Sequence, residues 1–136
     1  GKVARPDLKS VAVVGDGGFM FMGEELAMAA HYNVPVIVVV VNNGYLSLIR
    51  QNQKYAYGFE HGTKLWYDDA GENMTDFVKF AEALGCQGER VHRAEDIAGA
   101  LERAVAANCP YVIDIIVERE TDCSMGGSIA AVREFE

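Results

Sequence analysis

Six consecutive β-branched residues, Val36 to Val41 in the stretch VPVIVVVVNNG, constrain this chain more than any other feature. Their side chains are stiff at χ1 and crowd a helix, but they pack well on a pleated surface. A run without polar alternation is the pattern of a strand buried on both faces. Such strands belong to parallel sheets covered by helices.

The flanking chain supplies the helices and the other strands. Val11–Val14 is a second short apolar run and predicts another strand buried on both faces. Gly15–Gly18 reads as a glycine-rich turn, and Met22–His31 as a helix ended by Asn33 and Pro35. With Val36–Val41 these make a βαβ unit. A helix is expected from Leu46 to Lys54, then a long loop over 55–73. Thr75 opens a helix in TDFVKFAEAL, with Phe77, Phe80, Ala81 and Leu84 on one stripe and Gly85 as its stop. A strand at Glu89–His92, a helix in AEDIAGALERAVAA and a strand in YVIDIIVE follow, and the tail RETDCSMGGSIAAVREFE has no strong period. Alternating strands and helices predict an α/β fold, a parallel sheet with helices on both faces.

Composition excludes several classes. The chain has 136 residues, half of them apolar, and a net charge of -8. That suits one domain and disfavours nucleic acid or an anionic membrane as partner. The longest apolar run, Val34–Val41, is far short of the ~20 residues that span a bilayer. The first ten residues, GKVARPDLKS, have no apolar stretch of the signal-peptide kind. Cys86, Cys109 and Cys123 form no CxxC pair, and read as reduced thiols of a cytoplasmic protein.

Two strand ends carry the chemistry. In a parallel α/β sheet ligands bind beyond the carboxyl ends of the strands. Gly-Asp-Gly-Gly (15–18) follows the first strand, and Asn42-Asn43 follows the second. The carboxylate of Asp16 and an amide oxygen are hard donors that suit magnesium. Gly15, Gly17 and Gly18 leave backbone N–H groups accessible, and a following helix N-terminus favours a phosphate. One carboxylate suffices where a diphosphate already brings negative charge. The competing reading is a capping Asp with an Asx turn at Asn-Asn-Gly, in a non-catalytic module that binds a nucleotide or nothing.

GDG, one helix-length of chain, then NN resembles the signature of the thiamine diphosphate-dependent enzymes. The resemblance covers residues 1–136 and implies the C-terminal, diphosphate-binding domain of a larger enzyme. It implies thiamine diphosphate and Mg2+ as cofactors. Asp16, Asn43 and the carbonyl of Tyr45 would hold the metal, and Gly15, Asp16, Gly17, Gly18, Asn43, Tyr45 and Leu46 would line the cofactor site. Leu48 and Ile49 match positions beside the substrate, with ordinary helix packing as the alternative. No side chain is assigned a catalytic role. Arg50 reads as a solvated helix arginine rather than a substrate anchor, and His31, His61 and His92 as structural or surface residues.

Within the family, VNNGYLSLIRQNQ and the tail are most similar to glyoxylate carboligases, which condense two glyoxylates to tartronate semialdehyde with release of CO2. The alternative within the family is an acetolactate synthase or another thiamine diphosphate-dependent 2-keto acid decarboxylase; acetolactate synthases carry a Trp where this chain has Asn52. The resemblance further implies a pyrimidine-binding domain contributed by another subunit. It implies a middle domain where FAD binds in some relatives, with no FAD site in this domain. The chain is then expected to be a fragment or one subunit of a split enzyme, in a homodimer or homotetramer. The apolar strip Phe19–Met22 with Met28 is expected either at that subunit contact or in the core.

Overall fold

The computed structural model describes residues 1–66 and 74–119. The chain divides into two compact units. One comprises Gly1–Asn42 with Thr75–Val117, the other Asn43–Met74 with Glu118–Glu136.

The first unit is built on a four-stranded sheet, all parallel, in the order β1-β2-β4-β3. The strands are β1 (Ser10–Gly15), β2 (Val36–Asn42), β3 (Gln87–Val91) and β4 (Tyr111–Ile116). β2 and β4 hold the centre, as their mainly apolar sequences favour, with Asp114 the polar exception within β4. The helices are α1 (Asp16–Met22), α2 (Leu26–His31) after a short 3-10 turn, α4 (Phe77–Ala83) and α5 (Ile97–Ala107). Alternate residues of β2 serve opposite faces. Val38 and Val40 join Phe19, Leu26, Phe77, Ala81 and Val112 in one core cluster. Ile37 and Val39 join Val91, Ala100, Ala104, Tyr111 and Ile113 in the other. The α/β class with helices on both faces is therefore as the residue pattern predicts.

The strand expected to be buried on both faces at Val11–Val14 is an edge strand. Val14 packs into the first cluster, but Val13 is 70% exposed and Val11 about half exposed. The reason is coverage: α5 packs on β3 and β4, so the β1 end of its face has no helix among the described residues.

The expected turn at Gly15–Gly18 is also revised. Helix α1 starts directly at Asp16, with Gly15 as its N-cap in extended conformation (φ -73°, ψ 158°). None of Gly15, Gly17 and Gly18 has a positive φ. At Gly18 the absent side chain matters, since a Cβ there would lie 3.0 Å from Val14 Cγ2. The expected helix at Met22–His31 is thus two short α-helices and a 3-10 turn. Asp76, not Thr75, caps α4, accepting from the Lys79 backbone N–H at 3.1 Å. Gly85, at φ +83°, ends that helical segment in the left-handed region that glycine tolerates best. Of the apolar strip, Phe19 is core, edge-on to Phe77 with ring centroids 5.3 Å apart. Met20, Phe21, Met22 and Met28 are exposed, Phe21 to 76%.

At the β3 edge, the hydrogen bond from Arg103 to Glu89 holds that carboxyl below its ordinary range, against the opposing effect of burial. Burial, with the hydrogen bond to Glu89, pushes the Tyr111 hydroxyl up to about 12.

The second unit contains α3 (Ser47–Asn52), which runs into one π-helical turn at Gln53–Tyr57, so the expected helix at Leu46–Lys54 changes pitch rather than ending. The expected loop over 55–73 begins inside that turn. It then forms isolated antiparallel bridges, Tyr45 with Lys64 and Trp66 with Met74. Residues 67–73 of the loop, and the tail from 120 with Cys123, lie outside the described residues. No helix among the described residues is long and apolar enough to cross a membrane.

Candidate cofactor site

Pairing of Gly15 with Val41 brings β1 and β2 to the same carboxyl edge in register. Asp16 is the next residue on one strand and Asn42 on the other. Asp16 is 4% exposed, and its Oδ1 accepts from the Gly17 N–H at 2.7 Å. It lies inside the helix rather than at the N-cap, and no side chain caps α1. From that position its carboxylate accepts a free N–H of the helix's first turn. Space for a Cβ at Gly15 is open, with nothing within 4 Å.

The first asparagine of the pair faces the sheet. Asn42 Nδ2 donates to Asp114 Oδ1 at 2.9 Å, and Arg90 Nε donates to Asp114 Oδ2 at 2.8 Å. Arg90 also reaches the Asp76 carboxylate at 3.3 Å. Asp114 is 0% exposed in the centre of β4. This network was not among the expected site residues. Its signal was legible, because an acidic residue inside YVIDII interrupts an otherwise apolar strand. Both Asp114 oxygens accept, so the amide of Asn42 is set with its nitrogen toward Asp114.

In the second unit the other asparagine makes a turn. The Tyr45 N–H donates to Asn43 Oδ1 at 3.1 Å, an Asx turn. Asn43 Nδ2 donates to Ser47 Oγ, whose hydroxyl donates to the Tyr45 carbonyl at 3.4 Å. Gly44 between them has φ +72°, and a Cβ there would meet Trp66 Cε3 at 2.8 Å. No other residue fits that position without strain. The Leu65 N–H donates to the Gly44 carbonyl and the Leu46 N–H to the Thr63 carbonyl, at 2.7 and 2.9 Å. The Tyr45 ring meets Trp66 edge-on, with centroids 4.3 Å apart.

Leu48 and Ile49 on α3 are each about half exposed. One expectation for this unit, a solvated Arg50, is revised. Arg50, expected in solvent, is buried and ion-paired with Glu60 at 2.8 Å. Burial follows from its partners: a carboxylate, a backbone carbonyl and an aromatic face together replace water around the guanidinium. His31, His61 and His92 are exposed, in keeping with surface roles.

By residue type, Asp16, Asn43 and the Tyr45 carbonyl each offer an oxygen, the donor chemistry that suits a hard cation; Asp16 belongs to the first unit and the other two to the second.

Residues 1–115 match the model of the thiamine pyrophosphate enzyme C-terminal TPP binding domain. The chain belongs to the thiamine diphosphate-dependent enzyme family. It is similar to a glyoxylate carboligase of Escherichia coli O157:H7, with 42% identity over 142 residues, covering 98% of this chain and 24% of that protein. An acetolactate synthase of Mycobacterium bovis is 42% identical over 117 residues, covering 85% of this chain and 19% of that protein. Among solved structures, the thiamine diphosphate-dependent 4-hydroxybenzoylformate decarboxylase of Rhodococcus jostii RHA1 superposes with a TM-score of 0.76 at 30% identity. It covers 86% of this chain and 21% of that one. The chain thus spans about a quarter or less of the length of these thiamine diphosphate-dependent relatives.

Proposed function

We propose that this chain is the diphosphate-binding part of a longer carboligase that condenses two glyoxylates to tartronate semialdehyde and releases CO2. Asp16, Asn43 and the carbonyl of Tyr45 hold Mg2+, and Gly15, Gly17, Gly18 and Leu46 line the diphosphate and the adjoining part of the cofactor. Thiamine diphosphate, when bound, would supply the electron sink for the negative charge left on the former keto carbon as CO2 departs. The chain's own residues anchor and orient it, and Leu48 and Ile49 offer an apolar surface to the substrate.

The observation that carries the choice of glyoxylate is how far the likeness extends. The glyoxylate carboligase aligns over 98% of the chain, and so takes in the tail, whereas the acetolactate synthase aligns over 85% at the same identity. Asn52, where acetolactate synthases have Trp, points the same way. In the full-length protein CO2 release is expected to be faster from glyoxylate than from pyruvate. A preference for pyruvate would keep the cofactor site and move the reaction to the acetolactate synthase type.

The remaining domains of the site, a pyrimidine-binding domain from a second subunit and a middle domain, belong to the same proposal, as does assembly into a homodimer or homotetramer. Exposed Phe21, Met22 and Met20 support a second copy as the occupant of that surface. Phe21→Asp is expected to lower the mass of the assembly in solution, measured by light scattering. An unchanged mass would assign the strip another role.

A further inference from the structure

We propose that Arg50 is a positioning residue for the metal-binding turn, acting on the Tyr45 carbonyl through the Tyr45 ring. The proposal rests on the reading of Asn43 and Tyr45 as Mg2+ ligands. Its basis is the way the guanidinium is held. Arg50 is 9% exposed. Its Nε donates to Glu60 Oε2 at 2.8 Å, and its Nη1 donates to the Arg119 carbonyl at 3.1 Å. Its Cζ lies 4.2 Å from the centroid of the Tyr45 ring. One side chain thus joins α3, the turn at 43–45, the segment at Glu60 and the chain at Arg119.

The carboxylate partner is itself built in. Gln53, in the π-helical turn, donates from Nε2 to the His61 carbonyl at 3.1 Å and accepts from the His61 N–H at 2.8 Å. Its side-chain amide pairs with the His61 backbone as a neighbouring strand would. That fixes the residue next to Glu60, so the carboxylate meets Arg50 without a long search through rotamers. The order of support runs from Gln53 to Glu60, to Arg50, to the Tyr45 ring, and from there to the turn in which the Tyr45 N–H holds Asn43 Oδ1.

A buried, neutralised guanidinium is poorly placed to attract a substrate carboxylate, which is the other role an arginine here suggests. Lysine cannot replace it. An ammonium is a compact point charge and cannot give one donor to a carboxylate and another to a carbonyl while stacking on a ring. Groups that orient metal ligands from behind cost about 10–100-fold in metal affinity when removed.

The test uses the full-length protein and titrates Mg2+ at fixed thiamine diphosphate, following cofactor binding by calorimetry and recording the melting temperature of each ligand-free variant. Arg50→Lys is expected to raise the half-saturating Mg2+ concentration about tenfold or more, with cofactor binding recovered at high Mg2+. Glu60→Gln shifts it in the same direction by less. Ala104→Gly, in the α5 core, matches the thermal loss and leaves the Mg2+ half-saturation at the parent's value. Arg50→Lys and Glu60→Gln variants that lose only melting temperature, as Ala104→Gly does, overturn the proposal while the metal site stands. A parent protein that binds thiamine diphosphate equally with and without Mg2+ overturns the metal site, and the proposal with it.

Discussion

With Asp16→Ala in the full-length protein, thiamine diphosphate is expected to bind no better in the presence of Mg2+ than in its absence. Asp16 is the one charged donor of the proposed set, so its loss removes most of the attraction for a divalent ion. The expected loss exceeds the ~10–100-fold that supporting residues behind metal ligands cost. Asp16→Asn keeps an oxygen and removes the charge, and is expected to fall between the parent and the alanine variant. Calorimetric titration with and without Mg2+ measures this directly. An Asp16→Ala protein with the parent's affinity in Mg2+ would show that the ion is held elsewhere. Comparing the ligand-free melting curves of the two proteins separates a lost ligand from a lost fold.

Arg90→Ala is expected to destabilise the protein by about 3 kcal/mol, because it leaves the Asp114 carboxylate buried with only the Asn42 amide as partner. The figure belongs at the low end of the range for broken buried pairs, since the Arg90 side chain is itself 33% exposed and water can enter its place. Asp114→Ala strands the Asn42 amide nitrogen and is expected to cost about 1–3 kcal/mol, while Arg90 keeps Asp76. The double variant should therefore be more stable than the sum of the two single losses predicts. Urea denaturation of the four proteins decides it. A cost for Arg90→Ala well under 1 kcal/mol would mean that solvent, rather than the arginine, stabilises Asp114.

Much of this protein was legible without coordinates, and the reasons are local. Six β-branched residues in a row admit one backbone conformation and two covered faces, and β2 has both. The strand–helix alternation then leaves a parallel α/β sheet as the consistent arrangement, with GDG and NN at its carboxyl edge. Those two motifs resemble the family's signature, and their residue types, hard oxygen donors and glycines, are what the proposed cation and diphosphate site is read from.

What only the tertiary structure decided depends on residues distant in sequence. Val11 and Val13 are as apolar as Val38 and Val40. Their exposure follows from strand order, which puts β1 at the edge beyond the reach of α5, and no periodicity encodes that order. Asn42 and Asp114 are 72 positions apart, so the pairing that orients the first asparagine of NN is invisible to any local pattern. Arg50 has the helix neighbours of a surface arginine. It is buried because Glu60, the Tyr45 ring and the Arg119 carbonyl converge on it, and a charge is desolvated only where such partners assemble. Residue type set the chemistry available at each position, and the packing of distant segments determined which of those groups met.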